Sequence, residues 1–202
     1  MNKTKLPQAT SYRLGEMIRV KAGYPWRGAI PVVNEGSVIA VQAKDISEIG
    51  EVILTDCVRT ELSGKRDADW LRQGDVLLIN KGSRSTAAYI ECDLPDTTCP
   101  SSLYLLQAKP NWHNRLNMQF IAWQLNQPPL QTYLRRSAEG TLQVSLRRQV
   151  VEEAVLAIPD LHTQNLIAKL YVAAQQEHNT LTRMIENRKM QLSAIATHLL
   201  TS

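Results

Sequence analysis

The stretch IPDLHTQNLIAKLY, residues 158–171, joins two different kinds of chain. Pro159 biases the residue before it away from helix, so VLAIP (155–159) reads as a brief extended segment that ends at the proline. Asp160 follows as a helix N-cap, with a carboxylate suited to the unpaired amides of a first turn. From there to Ser202 neither proline nor glycine occurs. The pattern predicts one uninterrupted helix of about forty residues, roughly 60 Å long at 1.5 Å per residue. A heptad frame places Tyr171, His178, Ile185, Leu192 and Leu199 at position a, and Ile167, Ala174, Leu181, Arg188 and Ile195 at position d. So long an apolar seam needs a partner. The helix either folds back on its own domain or forms a coiled-coil arm to a second copy or another subunit, and the sustained period with polar flanks favours the arm. Arg188 and His178 interrupt the seam and are candidates for setting its register.

Upstream of Pro159 the chain changes character twice. Short β-type runs, VIAVQ (38–42), EVILT from Glu51, DVLLI (75–79), AAYIE (87–91) and SLYLLQA (102–108), are separated by the turn signals NEGS, SGKRD, KGSRS and DLPD. After Pro110 helix formers take over in RLNMQFIAWQLNQ (115–127) and PPLQTYLRRSA (128–138), the second starting on prolines suited to a first turn. SLRRQVVEEAV (145–155) predicts a further short helix with Ser145 as its N-cap. The expected fold class is α+β: an irregular β-rich domain with helices over residues 1–157, followed by one long coiled-coil-type helix over 158–202.

Composition sets the frame. The chain of 202 residues, 44% hydrophobic and 21% charged, is long enough for one sizeable core and has no apolar run of membrane-spanning length. The N-terminal MNKTKLPQATSYRLGEM lacks the apolar stretch of a signal peptide, and Cys57, Cys92 and Cys99 lack zinc-site spacing; together these imply a reduced, cytoplasmic protein without a metal. The net charge of +4 is unevenly distributed. Residues 1–108 balance, whereas between 109 and 150 Lys109, Arg115, Arg135, Arg136, Arg147 and Arg148 face only Glu139. Such a surplus suits nucleic-acid phosphates, and it equally suits solvated helix faces.

Three catalytic look-alikes fail on their chemistry. NQPPL (126–130) resembles the Asn-Pro-Pro-aromatic signature of adenine methyltransferases, but Gln127 precedes the prolines, Leu130 replaces the aromatic, and no glycine-rich cofactor loop stands upstream. Asp96 with Gln107 and Lys109 lacks the second acidic ligand that a magnesium-dependent nuclease needs. KGSRS (81–85) lacks the spacing of a phosphate-binding P-loop. The four histidines are scattered, and nothing in the sequence argues for an enzyme or a cofactor.

YRLGEMIRVKAGYPWRGAI (12–30), VIAVQAKDI (38–46), LRQGDVLLINKGSRS (71–85), FIAWQLNQPPLQTYLRRSAEGT (120–141) and LAIPDLHTQNLIAKL (156–170) together resemble one half of the DNA specificity subunit of type I restriction-modification enzymes. The most specific parts are the Gly-Asp strand with its basic glycine loop, the Ala-Glu-Gly-Thr turn, and the Ile-Pro-x-Leu-x-x-Gln start of the long helix. The resemblance implies a target recognition domain and a spacer helix. Full-length members carry two of each in one chain; this chain has one of each and no internal repeat. It therefore resembles half-subunits that pair through their helices into a two-fold homodimer reading an interrupted, inverted-repeat sequence in double-stranded DNA. The implied partners are a modification (methyltransferase) subunit, with or without a restriction subunit.

For a base-flipping partner that needs its site chosen, specificity would come from side chains reaching base edges. The loop candidates are Tyr24, Trp26, Arg27, Lys44, Arg59, Lys65, Arg66, Lys81, Ser83, Arg84 and Ser85, with Arg84 first because a guanidinium can pair bidentately with guanine. Tyr24 and Trp26 equally suit loop packing. Gly140 and Thr141 suit a structural turn, and Gln164 suits either a helix junction or an exposed first turn. The dimerisation candidates are Ile167, Tyr171, Ala174, Leu181, Ile185, Leu192, Ile195 and Leu199. Two other readings fit the same residues: a stand-alone DNA-binding regulator or phage-defence component with this fold, and a protein-protein scaffold whose cations are merely solvated.

Overall fold

The computed structural model describes residues 8–64, 67–138 and 145–201. Its centre is a four-stranded antiparallel sheet in the order β2 (Ile18–Ala22), β8 (Leu103–Ala108), β5 (Val76–Ile79), β6 (Ala87–Tyr89). All four residues of β5 are buried because the sheet is covered on both faces. Val76 and Leu78 join one core cluster and Leu77 and Ile79 the other, as the two-residue pleat requires. The first cluster takes in α2 (Met118–Leu125), α3 (Pro128–Arg136) and α4 (Arg148–Glu153); the second packs under the loops around Val41, Ile46 and Leu71. Beside it lies a three-stranded sheet, β4 (Val58–Thr60), β3 (Val38–Ala40), β7 (Thr97–Thr98), in which β3 and β7 run parallel.

The N-terminus contributes elements that the sequence did not announce: β1 (Thr10–Arg13), the single-turn α1 (Leu14–Met17) and β2. β1 pairs antiparallel with β9 (Val155–Ile158), placing Thr10 opposite Ile158. The strand ends at Ile158, and α5 (Leu161–Thr201) begins after the Pro159 break. Asp160 caps it as expected, Oδ1 accepting from the Thr163 amide at 3.0 Å and Oδ2 from its hydroxyl at 2.7 Å.

Two local expectations are corrected. EVILT forms no strand; the Gly50 amide donates to Ser47 O, Glu51 N donates to Ser47 Oγ, and a 3-10 turn follows at Leu54–Asp56, leaving a single bridge from Ile46 to Val52. Ser145 does not cap α4, because it bridges to Lys81 and the helix begins only at Arg148. The Ala-Glu-Gly-Thr turn with Gly140 and Thr141 lies outside the described residues.

The long helix is not one uniform arm. Gln164 is fully buried; its Oε1 accepts from Asn117 N at 2.9 Å while Nε2 donates to Arg115 O at 3.0 Å and Pro159 O at 2.9 Å. Farther along, Tyr171 Oη donates to Ile49 O at 2.8 Å, and Gln175 Nε2 donates to the same carbonyl at 2.7 Å. Asn179 Nδ2 donates to both Glu51 carboxylate oxygens. Beyond Asn179 every residue to Leu200 is exposed. The helix is fastened over its first half and free over its second.

Candidate nucleic-acid interface

The loops that carry the cationic and aromatic candidates fall into two groups. In the first, the chain after β2 runs through Tyr24, Trp26 and Arg27 and meets the segment after β4 at Ser63 and Gly64, the two lining one broad open groove. Tyr24 and Trp26 are buried in that groove's floor, their rings edge to face at 4.6 Å between centroids. Gly64 N donates to Tyr24 Oη at 2.8 Å, and Trp26 Nε1 donates to Glu61 O at 3.3 Å. These bonds and the packing against Ala40 anchor both rings in the loop, the packing role the sequence allowed them. Arg27 stands exposed at the rim. Arg59, on β4, also exposed, donates from Nη1 to Gly36 O at 3.3 Å. Lys65 and Arg66 lie outside the described residues.

The second group surrounds Gly82, whose φ of +120° suits the absence of a Cβ. Lys81 and Ser83 are exposed, and Ser85 is half-buried with its carbonyl accepting from Gln131 Nε2 at 2.9 Å. Arg84 is turned inward. Its Nη2 donates to Ala43 O at 2.9 Å and also to Ile46 O, so the first-choice candidate holds the 3-10 turn Ala43–Asp45. Lys44, on that turn, is exposed and lies 3.7 Å from Asp45 Oδ1, an otherwise unbonded oxygen of a fully buried carboxylate. Among the loop candidates the cations left facing solvent are therefore Arg27, Lys44 and Lys81, with Arg59 tethered at one nitrogen; Arg72, outside that set, is exposed as well.

Half of the six cations between 109 and 150 have named partners within the chain, two of them at its surface. Lys109 Nζ donates to Gly15 O at 2.5 Å, Arg115 lies 4.3 Å over the Trp112 ring, and Arg148 pairs with Glu152 at 2.7 Å. Arg135 and Arg136 remain exposed at the C-terminal end of α3, where cations complement the helix dipole.

The interface and the long helix are linked by a polar hub. Asn126 Oδ1 accepts from Ala87 N and its Nδ2 donates to Ala87 O, both at 2.8 Å, so the side chain extends the edge of β6 as a strand would. The same Nδ2 donates to Tyr171 Oη at 3.1 Å. Gly50, at φ +81°, lets the backbone close over this junction: a Cβ there would lie 2.4 Å from Ala87 O. The residues Asn126, Gln175 and Asn179 were not singled out for this role by sequence, because an amide's partners lie at unrelated chain positions. Burial holds the Tyr171 hydroxyl above the usual phenol range, partly offset by the Asn126 bond and reinforced by the nearby Glu51 carboxylate.

Of the helix-pairing candidates, Ile167 packs on the core and Tyr171 is bonded to Ile49, so both make contacts within the chain. Ala174 is exposed, as are Leu181, Ile185, Leu192, Ile195 and Leu199. The exposed line continues toward the N-terminus through Leu170 and Leu166, which the heptad frame had passed over.

Among the described residues there is no group of three or more His, Cys, Asp and Glu able to hold a metal ion, and no helix long and apolar enough to cross a membrane. What the geometry offers is an open groove, rigid aromatic footing, solvent-facing cations and a rod.

Searches against protein-family models and against curated proteins find no match. Solved structures do match. The S subunit of a type I restriction-modification system from M. genitalium superposes with a TM-score of 0.60 at 18% identity, over 94% of this chain and 45% of that one. The HsdS subunit from Thermoanaerobacter tengcongensis gives 0.64 at 17% identity, over 91% and 47%. The fold is that of a type I S subunit. A structure describing complex assembly and conformational transition of the type I R-M system gives 0.63 at 17% identity, over 96% of this chain and 45% of that one. This chain thus spans slightly less than half the length of the chains it matches.

Proposed function

We propose that this chain is a DNA-reading specificity half-subunit of a type I restriction-modification system. It binds double-stranded DNA through the loops around Arg27 and Lys81, pairs with a second copy through α5, and directs a modification subunit, with or without a restriction subunit, to a bipartite site. The observation that carries the reading is structural: nearly the whole chain matches slightly less than half of an S subunit, and α5 projects a free, apolar-lined second half. The chain supplies site choice and no chemistry; base modification belongs to the partner.

The test is base-modification sequencing of genomic DNA with and without the gene, next to the same comparison for a co-encoded methyltransferase. Loss of a symmetric, interrupted methyladenine motif on deletion is the expected result. An unchanged methylome with an active methyltransferase would move the assignment to a stand-alone DNA-binding protein. Absence of DNA binding at low salt would leave the scaffold reading.

A further inference from the structure

The free half of α5 carries information about what covers it. The residues at 166, 170, 173, 177, 181, 184, 188, 192, 195 and 199 follow one another in steps of four, three and four, an 11-residue period. At roughly 100° per residue this line drifts only about 20° per 11 residues along the helix, turned on average about 140° from the face that Gln164, Ala168, Tyr171 and Gln175 present to the domain. Eight of the ten positions are Leu, Ile, Met or Ala, and all ten are exposed. The other two are Glu177 and Arg188, one period apart. No ion pair or hydrogen bond among the described residues engages either side chain.

Two opposite charges set into one apolar stripe constrain how it can meet a copy of itself. In a parallel, in-register pair Glu177 would face Glu177 and Arg188 would face Arg188, like charges against each other in a desolvated seam. In an antiparallel pair centred between Thr182 and Arg183, each Glu177 faces the other copy's Arg188. The same register sets Leu166 against Leu199 and Leu170 against Ile195. Small Ala173 then meets bulky Leu192, and Leu181 meets Met184 beside the two-fold axis. Shifting by one period puts a like pair together and leaves the remaining charges opposite leucine or beyond the overlap.

We infer that Glu177 and Arg188 form two reciprocal ion pairs between copies, fixing an antiparallel homodimer in this one register. The inference rests on the reading that two copies pair through α5. The 11-residue period makes the seam nearly straight or slightly right-handed rather than the left-handed supercoil of a heptad. In this register the two Gln164 docking points stand about 55 Å apart along the helix direction. A lone polar group in an apolar seam is a known way of specifying register.

The test is sedimentation equilibrium of the full chain, with circular dichroism to confirm that each variant is folded. Wild type is expected to dimerise, whereas Glu177→Arg and Arg188→Glu, each of which creates two like-charge contacts, should raise the dimer dissociation constant at least about 30-fold. The double variant carrying both changes restores opposite charges at both sites and should return to within about five-fold of wild type. Single variants that dimerise as well as wild type, or a double variant no better than the singles, would overturn the register while leaving dimerisation standing. A wild-type chain that stays monomeric at high concentration and with DNA would overturn the pairing itself.

Discussion

The hydroxyl of Tyr171 donates to the carbonyl of Ile49 at 2.8 Å, joining positions 122 residues apart and fastening the long helix to a loop of the β-rich body. Gln175 donates to the same carbonyl, and Asn126 donates to the same hydroxyl, so the Ile49 carbonyl is left without a donor only when Tyr171 and Gln175 are both removed.

This sharing predicts non-additive stability. Tyr171→Phe and Gln175→Ala should each cost about 1 kcal/mol, since Ile49 O retains one donor in either case. The pair together should cost about 3 kcal/mol, with the carbonyl left unsatisfied. Scanning calorimetry of the four proteins in a double-mutant cycle measures it, and additive losses would mean that the shared carbonyl does not couple the two side chains.

Gly50→Ala should be more damaging than either. The added Cβ meets Ala87 O at 2.4 Å, Asn126 Nδ2 at 2.9 Å and Tyr171 Oη at 3.1 Å, at a backbone φ of +81°. A loss above about 3 kcal/mol is expected, with faster amide exchange over residues 161–179 than in the central sheet. A variant as stable as wild type would contradict the close approach at this loop.

Arg84 and Arg27 should separate cleanly. Arg84→Ala removes a donor from Ala43 O and Ile46 O and should destabilise by about 1.5–3 kcal/mol, weakening matched and mismatched DNA alike. Arg27→Ala should stay within about 0.5 kcal/mol of wild-type stability and lower the salt slope of DNA binding by about 1. Fluorescence anisotropy over a salt series reads both; selective loss of one base preference in Arg84→Ala would return that residue to base reading.

Alkaline pH should unfold the protein through its buried thiol. Burial, reinforced by the Asp69 and Asp75 charges, pushes Cys99 from an ordinary 9.0 up to about 12. Above pH 9 the unfolded chain therefore releases a proton that the folded chain keeps. The stabilisation is complete below that pH and falls by at most about 1.4 kcal/mol per pH unit as pH rises toward the folded value. Cys57, raised likewise by burial and then by Asp45, adds a smaller share because it is partly open to solvent. Urea titrations at about pH 8 and about pH 10.5 should show the loss, and Cys99→Ala should flatten it.

What could be read from the chain was what local physics decides. β5 and β8 are apolar runs because both of their faces are covered, and Pro159 and Asp160 stop a strand and start a helix with their own atoms. The segment EVILT misled because its β-branched residues are real strand formers, yet the turn bonded through Ser47 folds the chain before a ladder can form. The loop cations were legible as residue types but not by orientation: nothing near Arg84 in sequence indicates that carbonyls at 43 and 46 will hold it. The heptad frame laid on the long helix drifts about 20° per repeat around a straight helix. It began on Ile167 and Tyr171, which face the body, and reached the exposed line only near Leu181.

The fastening from Gln164 to Asn179 leaves the rest of α5 as a cantilever of roughly 33 Å. An angular play of about 6° at its root would swing the tip by about 3.4 Å, the rise of one base pair. On the proposed reading, stiffness at Ile49, Gly50 and Glu51 would thus set how much error in the distance between two paired recognition sites the molecule can tolerate.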